Sequence, residues 1–346
     1  MQTPHAFRVQ AQACAELGSP MYAALLTRIA DELAGEPILG EILQGHEDDP
    51  GPSALALRLV GGVHRQVLAG DATELAEHYP SVGGRWSLDA AWPAFLSTLR
   101  QRKDEIVAAL DSAPQTNEVG RASALLGGLL HVAAEHPLPI RLFEIGASGG
   151  LNLRADQFRY LRADGTSWGP ADSPVVLDPA WQGASLPAAD VRVVERVGTD
   201  LAPVDVASEP GRLTLLSYVW PDMLARLARL RGAFEVADRV PADLRPTDAV
   251  TMLKELWLRS GTVTVLWHSF MWQYLSTEDK VAAADRLEAL AASATPDQPF
   301  AWLRLEPERR RPGADREFLV VLQTWPTGER RVLGTAAPHG VPTILE

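Results

Sequence analysis

Apolar side chains recur every three or four residues through the first 137 residues. This spacing predicts amphipathic helices, because it places the apolar side chains on one face of a helix. Runs rich in Gly and Pro separate the helical segments. The predicted helices cover residues 7–17, 21–33, 53–69, 73–78, 88–111 and 117–135. No alternating strand pattern occurs among them, so we predict an α-helical N-terminal region over residues 1–137.

After Pro139 the pattern changes to short apolar and β-branched runs that alternate with helical segments. The predicted strands cover residues 141–145, 157–164, 174–177, 191–197, 213–219, 262–267, 300–305, 317–324 and 330–334, with helices at 223–231, 248–259 and 277–292. Such alternation predicts an α/β domain over residues 138–346, with a mainly parallel sheet and helices on both faces. The turn Pro326-Thr327-Gly328 predicts a closing hairpin and thus an antiparallel edge.

The first of these strands leads into the most informative stretch of the chain. It ends at Glu144, continues through the turn Gly146-Ala147-Ser148-Gly149-Gly150 and enters a predicted helix. Glycine lets the backbone turn tightly and lets a ligand approach it closely. A helix that begins there directs its free N–H groups at whatever lies above the turn. We therefore predict a nucleotide-type or anion-type ligand site at the carboxyl end of this strand.

Two functional interpretations compete for this turn. Its glycine pattern resembles the loop of class I methyltransferases, which bind S-adenosylmethionine on a Rossmann-like sheet whose last strand is antiparallel. The resemblance implies that Glu144 lies near the amino acid part of the cofactor. It also implies that the turn, with Gly146, Ala147, Ser148, Gly150 and Asn152, lies beneath the cofactor.

The second interpretation takes the same residues as Gly-x-Ser-x-Gly, the nucleophile elbow of α/β-hydrolases, with Ser148 as the nucleophile. Several strands precede the elbow in that fold, whereas no strand is predicted before Glu144 here. The order of elements therefore favours the methyltransferase-like interpretation. A non-catalytic protein that binds a nucleotide-like ligand is the remaining alternative.

Asp200 follows the predicted strand over residues 191–197. In a methyltransferase-like sheet, we expect Asp200 to accept a hydrogen bond from the adenine amino group. A turn-forming role is the alternative. Asp164 and Asp178 compete for the acid that would hold the ribose hydroxyls.

Three candidate residues lie at or just after the end of the run that we predict as the fourth main strand, namely Tyr218, Trp220 and Asp222. Amino- and DNA-methylating relatives carry Asn or Asp with Pro-Pro and an aromatic residue here. This chain has Trp-Pro-Asp, so the chemistry of those enzymes is not carried over. We still expect these side chains to line the substrate side, with Tyr218 and Asp222 among the catalytic candidates.

His268 ends the predicted strand 262–267 and is the general-base candidate, because imidazole titrates near neutral pH. A hydrogen-bonded packing role is its alternative. Tyr274 adds an aromatic wall that would suit a cationic sulfonium. Gln115, Asn117 and Arg121 precede a predicted helix and are expected as a lid over the substrate, although Asn117 is also a plausible helix cap.

The composition excludes several classes of function. The 346-residue chain has a net charge of −12, whereas general nucleic-acid binding requires a basic face. One cysteine excludes a disulfide framework and a thiolate metal cluster. His131 and His136 are not spaced to share a metal ion, so no metal is expected. No uncharged run is long enough to span a bilayer, so we expect a cytoplasmic protein that acts on a small molecule.

The whole chain is similar to an uncharacterised bacterial family, catalogued as domain of unknown function number 2332. The similar segments are residues 63–65, 114–118, 144–153, 196–203, 217–222 and 268–274. This resemblance implies no activity. The prediction from the sequence is therefore an S-adenosylmethionine-binding small-molecule methyltransferase, carried by the Gly-rich turn.

Overall fold

The computed structural model describes residues 3–46 and 54–346. The chain divides into two compact units. Met1–Thr116 and Ser208–Ala228 form the first, called the helical unit, and Asn117–Ala207 and Arg229–Glu346 form the second, called the sheet unit. This division differs from the boundary predicted at residue 137. The last predicted N-terminal helix belongs to the sheet unit because it packs against strands there.

Most helices lie close to their predicted positions, although one predicted helix is divided and the helices over Pro37–Leu43 and Glu209–Ser217 are not among those predicted. The helices are α1 (Thr3–Glu16), α2 (Pro20–Glu32), α3 (Pro37–Leu43), α4 (Leu55–Ala69), α5 (Thr73–Ala76), α6 (Leu88–Gln101), α7 (Lys103–Leu110), α8 (Ala122–Glu135), α9 (Glu209–Ser217), α10 (Leu224–Arg239), α11 (Ala249–Glu255) and α12 (Thr277–Ser293). The predicted helix 88–111 is two helices, α6 and α7. The predicted first residue of α4, Ser53, lies outside the described residues.

The helical unit is held together by the apolar faces that the sequence pattern predicts. In α2, for example, Leu25, Leu26 and Ile29 are buried in one cluster with Leu59 and Val63 of α4. No helix among the described residues has the length and apolar composition required to cross a membrane.

The predicted strand over residues 213–219 is wrong, because residues 213–217 lie in helix α9 of the helical unit and the other two follow it. Ser208 caps the helix by accepting a hydrogen bond from Gly211 N at 3.1 Å, and Pro210 stands in the first turn. A short apolar run does not by its spacing distinguish a buried helix from a buried strand. As a consequence, Tyr218, Trp220 and Asp222 do not follow a central strand.

The sheet unit contains one sheet of eleven strands, most of whose neighbouring pairs are parallel. The strands are β1 (Ile140–Ile145), β2 (Arg159–Arg162), β3 (Ser167–Trp168), β4 (Val176–Gly183), β5 (Val193–Asp200), β6 (Asp243–Pro246), β7 (Val263–Ser269), β8 (Phe300–Arg309), β9 (Arg316–Trp325), β10 (Glu329–Ala336) and β11 (Thr343–Leu345). Their order is β3-β2-β4-β11-β10-β9-β8-β7-β1-β5-β6. The predicted mixed α/β architecture with a large, mainly parallel sheet is confirmed.

Five neighbouring strands, in the order β6-β5-β1-β7-β8, are parallel. The chain first adds β5 and β6 on one side of β1, and then adds β7 and β8 on the other. The predicted hairpin is formed by β9 and β10, which pair antiparallel across Pro326-Thr327-Gly328. It is not an edge, because β11, β4, β2 and β3 extend the sheet beyond it.

Helices cover both faces of the sheet. On one face, α8 approaches β8 so closely that a Cβ atom on Gly128 would lie 2.3 Å from Leu303 Cδ2. On the other face, α11 and α12 cover an apolar cluster that contains Phe143 of β1 and Leu266 of β7. Because side chains alternate between the faces of a strand, successive residues of β1 and β7 have different surroundings.

Candidate functional site

The turn after β1 contains three residues in the left-handed region, Gly146 (φ 70°), Ser148 (φ 51°) and Gly150 (φ 64°). Glycine adopts this conformation without strain, whereas Ser148 does so at a cost. The predicted helix that follows is a 3-10 helix over Leu151–Gln157, not an α-helix.

Several N–H groups of the turn are bonded within the protein, contrary to the expectation that they face a ligand. Ser148 N donates to Asp200 Oδ2 at 3.0 Å, and Leu151 N donates to Asn117 Oδ1 at 2.9 Å. Asn152 Nδ2 donates to the Glu118 carbonyl at 3.2 Å. Asn117, Asn152 and Asp200 therefore hold the shape of the turn.

Glu144 lies at the carboxyl end of β1 with 3% of its surface exposed. Its Oε1 accepts a hydrogen bond from Trp267 Nε1 at 3.1 Å, whereas Oε2 has no donor among the residues that the structure describes. Burial raises the pKa of Glu144 to about 8, against the opposing effects of the Trp267 bond and of Arg121 and Arg154. A buried carboxyl group with one unpartnered oxygen is a candidate for contact with a ligand.

Arg121 lies near the same end of the sheet. Its Nε donates to the Pro338 carbonyl at 3.0 Å, and its Nη1 donates to Ser269 Oγ at 3.4 Å. The guanidinium carbon lies 4.3 Å from the centre of the Phe270 ring. Ser269 ends β7, so Arg121 lies at the carboxyl end of that strand. Its positive charge lowers the pKa of Glu144, which directly precedes the turn.

His268 faces away from Glu144. Glu144 pairs with Trp267 in the sheet, and the next residue along a strand points to the opposite face. The imidazole is fully buried, with Nδ1 at 2.8 Å from Glu306 Oε1 and Nε2 at 3.0 Å from Trp302 Nε1. Since an indole N–H only donates, Nε2 accepts and Nδ1 carries the proton. Both ring nitrogens are therefore used in packing, and the predicted convergence of His268 with Glu144 is wrong.

Four predicted site residues belong to the helical unit, not to the sheet unit that carries the Gly-rich turn. Asp222 accepts hydrogen bonds from Ser19 Oγ at 2.6 Å and Met21 N at 2.9 Å, and so it holds the start of α2. Trp220 packs against Tyr22, with 6.3 Å between the ring centres.

The Tyr218 ring lies over Gly61, where an added Cβ atom would be 2.7 Å from Tyr218 Cε1. Gln115 lies in the segment after α7, one residue before the end of the first part of the helical unit. Tyr274, in the sheet unit, is 75% exposed in a 3-10 turn over Trp272–Tyr274.

The two acids considered for the ribose hydroxyls lie at the far end of the sheet. Asp178 is in β4, and Asp164 lies between β2 and β3, where it accepts hydrogen bonds from Thr166 N and Oγ1. Strands β11, β10, β9, β8 and β7 separate β4 from β1. These positions exclude both acids from the region of the Gly-rich turn.

Two residues near the turn are not among the predicted site residues. Trp267 is the last residue of the predicted apolar strand 262–267, and its indole N–H donates a hydrogen bond to Glu144 Oε1. Arg154 is buried in the 3-10 helix after the turn, where it donates to the Gly150 carbonyl. In the sequence, Arg154 is recognisable only as a single arginine within the mainly apolar run Leu151-Asn152-Leu153-Arg154-Ala155.

One family matches nearly the whole chain, residues 4–343, and its description is "Uncharacterized protein conserved in bacteria (DUF2332)". The chain belongs to this family. The family predicted from the sequence is thus confirmed, although its description names no activity. No curated protein and no solved structure matches the chain. Within the described residues, no group of three or more His, Cys, Asp or Glu side chains is arranged to hold a metal ion.

Proposed function

We propose that the sheet unit binds S-adenosylmethionine at the carboxyl ends of β1 and β7, and that the protein is a small-molecule methyltransferase. The main support for this proposal is the strand order of the sheet. Numbered along the chain, the five parallel strands lie in the order 3-2-1-4-5. This is the order of sheets that bind dinucleotides, and their ligands bind where the strand order reverses. Here that point lies between β1 and β7.

The residues after β1 suit such a ligand. Gly146 is exposed at the start of the turn, so a ligand can reach its backbone. A Cβ atom on Gly146 would lie 2.8 Å from Met271 Cβ, so the turn also has no room for a side chain. The Glu144 Oε2 atom, which has no donor among the described residues, offers a hydrogen-bonding group for the amino acid part of the cofactor.

The sequence predicts that Asp200 binds the adenine amino group, but with Asp164 and Asp178 excluded we now assign it to the ribose hydroxyls. In dinucleotide-binding sheets an acid after the Gly-rich turn holds the ribose, and here Asp200 ends the second parallel strand, β5, which pairs with β1. Its Oδ2 accepts from Ser148 N and its Oδ1 accepts from Ala202 N at 3.1 Å. Each carboxylate oxygen has a second lone pair, so Asp200 can hold both the turn and a ligand.

Methyl transfer requires little more than positioning, because the sulfonium cofactor supplies an activated methyl group. This fits a site without an open histidine nitrogen, since both nitrogens of His268 are bonded. The transferase part of the proposal rests on the resemblance of the turn to the class I methyltransferase loop.

Calorimetry with the full chain tests the binding. We expect S-adenosylmethionine and S-adenosylhomocysteine to bind and nicotinamide dinucleotides not to bind. Asp200→Asn should weaken binding by about 10- to 100-fold, because a hydrogen bond to a charged group contributes about 1.5–3 kcal/mol. Asp164→Asn is the matched control, because Asp164 also accepts backbone hydrogen bonds in a turn. A folded protein that binds neither sulfur compound would contradict the proposal.

The left-handed conformation of Ser148 favours the hydrolase as a second candidate, because a nucleophile elbow is a strained turn. Ser148 is only 5% exposed, however, and it follows the first parallel strand. Ser148→Ala should change cofactor affinity by the equivalent of one hydrogen bond at most, about 0.5–1.5 kcal/mol. In a hydrolase the same change would abolish ester hydrolysis, because it removes the nucleophile. Assays of ester hydrolysis with both proteins distinguish the two candidates.

A further inference from the structure

A cleft of 680 Å³ lies within the sheet unit, beside the Gly-rich turn. It is lined by residues 203–207 and 241–244, by Ala237 and Asp238 of α10, and by Arg154. Small-molecule sites usually have volumes of about 300–1,000 Å³, so the cleft is large enough for a ligand. The lining does not include Glu144, Gly146 or Ser148, and the cleft is thus distinct from the site proposed above.

Arg154 is a buried cation without a carboxylate partner. It is 4% exposed, and it donates only to carbonyl groups, from Nε to Val240 at 2.8 Å and from Nη1 to Gly150 at 2.8 Å. Its Nη2 atom makes no hydrogen bond to any residue in the described part of the chain. By contrast, the neighbouring Arg196 forms an ion pair with Asp156 at 2.5 Å.

A buried charge is normally paired, because desolvation of an isolated ion is costly. Burial and the nearby Arg196 lower the pKa of Arg154 to about 10, against the effect of Glu144. An anion in the cleft would supply the missing partner.

The other residues that line the cleft restrict the shape and charge of the anion that can bind. Val204, Val206, Pro241 and Leu244 give the cleft an apolar wall, which favours a ligand with an apolar body. Asp205, Asp238 and Asp243 are exposed along the lining, and their negative charges disfavour a polyanion.

We propose that this cleft binds a small anion with a single acidic group and an apolar body, and that Arg154 Nη2 holds its carboxylate or phosphate. The ligand would give the buried guanidinium a charged hydrogen-bond partner. Its apolar body would lie against the Val204 and Leu244 side of the cleft. The cleft and the proposed cofactor site share no lining residue, but they are adjacent, because Arg154 donates to the Gly150 carbonyl in the Gly-rich turn.

Calorimetry with the full chain tests this inference, using hexanoate, phenylacetate and phenyl phosphate as anionic probes. We expect saturable binding of at least one of them. Uncharged hexanol, which has the same apolar body as hexanoate, and citrate, which carries three acidic groups, should bind at least about tenfold more weakly than the best anion. The comparison of phenylacetate with phenyl phosphate assigns the acidic group as a carboxylate or a phosphate.

Two variants test the contributions of Arg154 and of the cleft volume to anion binding separately. Arg154→Gln should weaken binding of the best anion by about 10- to 100-fold, as expected for loss of a charged hydrogen bond. Ala242→Trp fills the cleft without changing Arg154, so it should abolish anion binding. Arg330→Gln, which changes an exposed arginine on β10, is the control and should bind as the wild type does.

Four results would overturn the inference. They are the absence of saturable binding by all three anions, binding of hexanol as tight as that of hexanoate, undiminished binding by a folded Arg154→Gln variant, and undiminished binding by a folded Ala242→Trp variant. If Arg154→Gln does not fold, Ala242→Trp decides the question. Because this test never depends on S-adenosylmethionine, its failure is distinguishable from failure of the proposed methyltransferase function.

Discussion

At the scale of single residues, Glu144 is the most informative side chain of the sheet unit. The sequence predicts its position at the end of a strand before a Gly-rich turn, and the structure places it there. Its properties depend on more distant residues, since Trp267 donates a hydrogen bond to its Oε1 and burial raises its pKa to about 8. A carboxyl group with such a pKa is largely protonated at neutral pH and can lose its proton under mild conditions.

Glu144 should make the stability of the protein depend on pH. Its pKa rises from an ordinary value of 4.5 to about 8 in the folded protein, so the folded state binds the proton more tightly than the unfolded chain does. The free energy of unfolding should therefore fall as the pH rises through this interval, by up to about 1.4 kcal/mol per pH unit, and level off above it. Glu144→Gln removes this titration and should flatten the curve.

Chemical denaturation at steps from about pH 5 to about pH 9 measures this dependence. Glu329→Gln, which changes an exposed acid on β10, serves as the control and should keep the wild-type slope. Equal slopes for the wild type and Glu144→Gln would show that Glu144 titrates normally in the folded protein.

At the scale of elements, helix α9 shows why a short apolar run is ambiguous. Residues 213–219 contain a run of leucines and one valine that is compatible with either a strand or a helix. The deciding local signals are at the start, where Ser208 caps the helix and Pro210 occupies its first turn. These signals precede the run and are independent of its apolar spacing.

The contribution of the Ser208 cap to the stability of the protein should be measurable. Ser208→Ala removes the acceptor for Gly211 N and should destabilise the protein by about 1 kcal/mol, within the usual range of about 0.5–2 kcal/mol for such caps. Thermal and chemical denaturation of the variant measure the effect. Ser185→Ala, in an exposed loop, should be neutral. An unchanged stability of Ser208→Ala would contradict the role of Ser208 as a cap.

At the scale of the whole molecule, the sheet depends on three residues near the end of the chain. Strand β11 pairs with β10 on one side and with β4 on the other, so it is the one connection in the sheet between β2–β4 and the other described strands. Gly334 allows this close approach, since a Cβ atom there would lie 1.9 Å from the Ile344 carbonyl oxygen.

Deletion of residues 343–346 should therefore loosen one end of the sheet while leaving β1 and β7 paired. We expect faster hydrogen exchange and proteolysis across β2 and β4 than in the wild-type protein, because their backbone groups lose a neighbouring strand. The deletion also removes the ion pair between Arg310 and Glu346, so Arg310→Gln is the control for that loss. Protection of β4 that survives the deletion would contradict this role for β11.

The sequence by itself determined the features that depend on neighbours along the chain. These include the helices before Pro139, the turn after Glu144 and the hairpin at Pro326-Thr327-Gly328, because periodic burial and turn chemistry are local properties. Family membership could also be predicted, since it rests on the order of residues alone.

Only the tertiary structure decided the surroundings of the candidate site. The register of β1 with β7 places Trp267 beside Glu144 and turns His268 to the opposite face, where Glu306 and Trp302 occupy its nitrogens. Arg154 is identified as a candidate ligand-binding residue by its burial without a carboxylate, which no sequence pattern records. These features depend on contacts between residues far apart in the chain, and a shift of one residue in register would exchange the two faces of the strand.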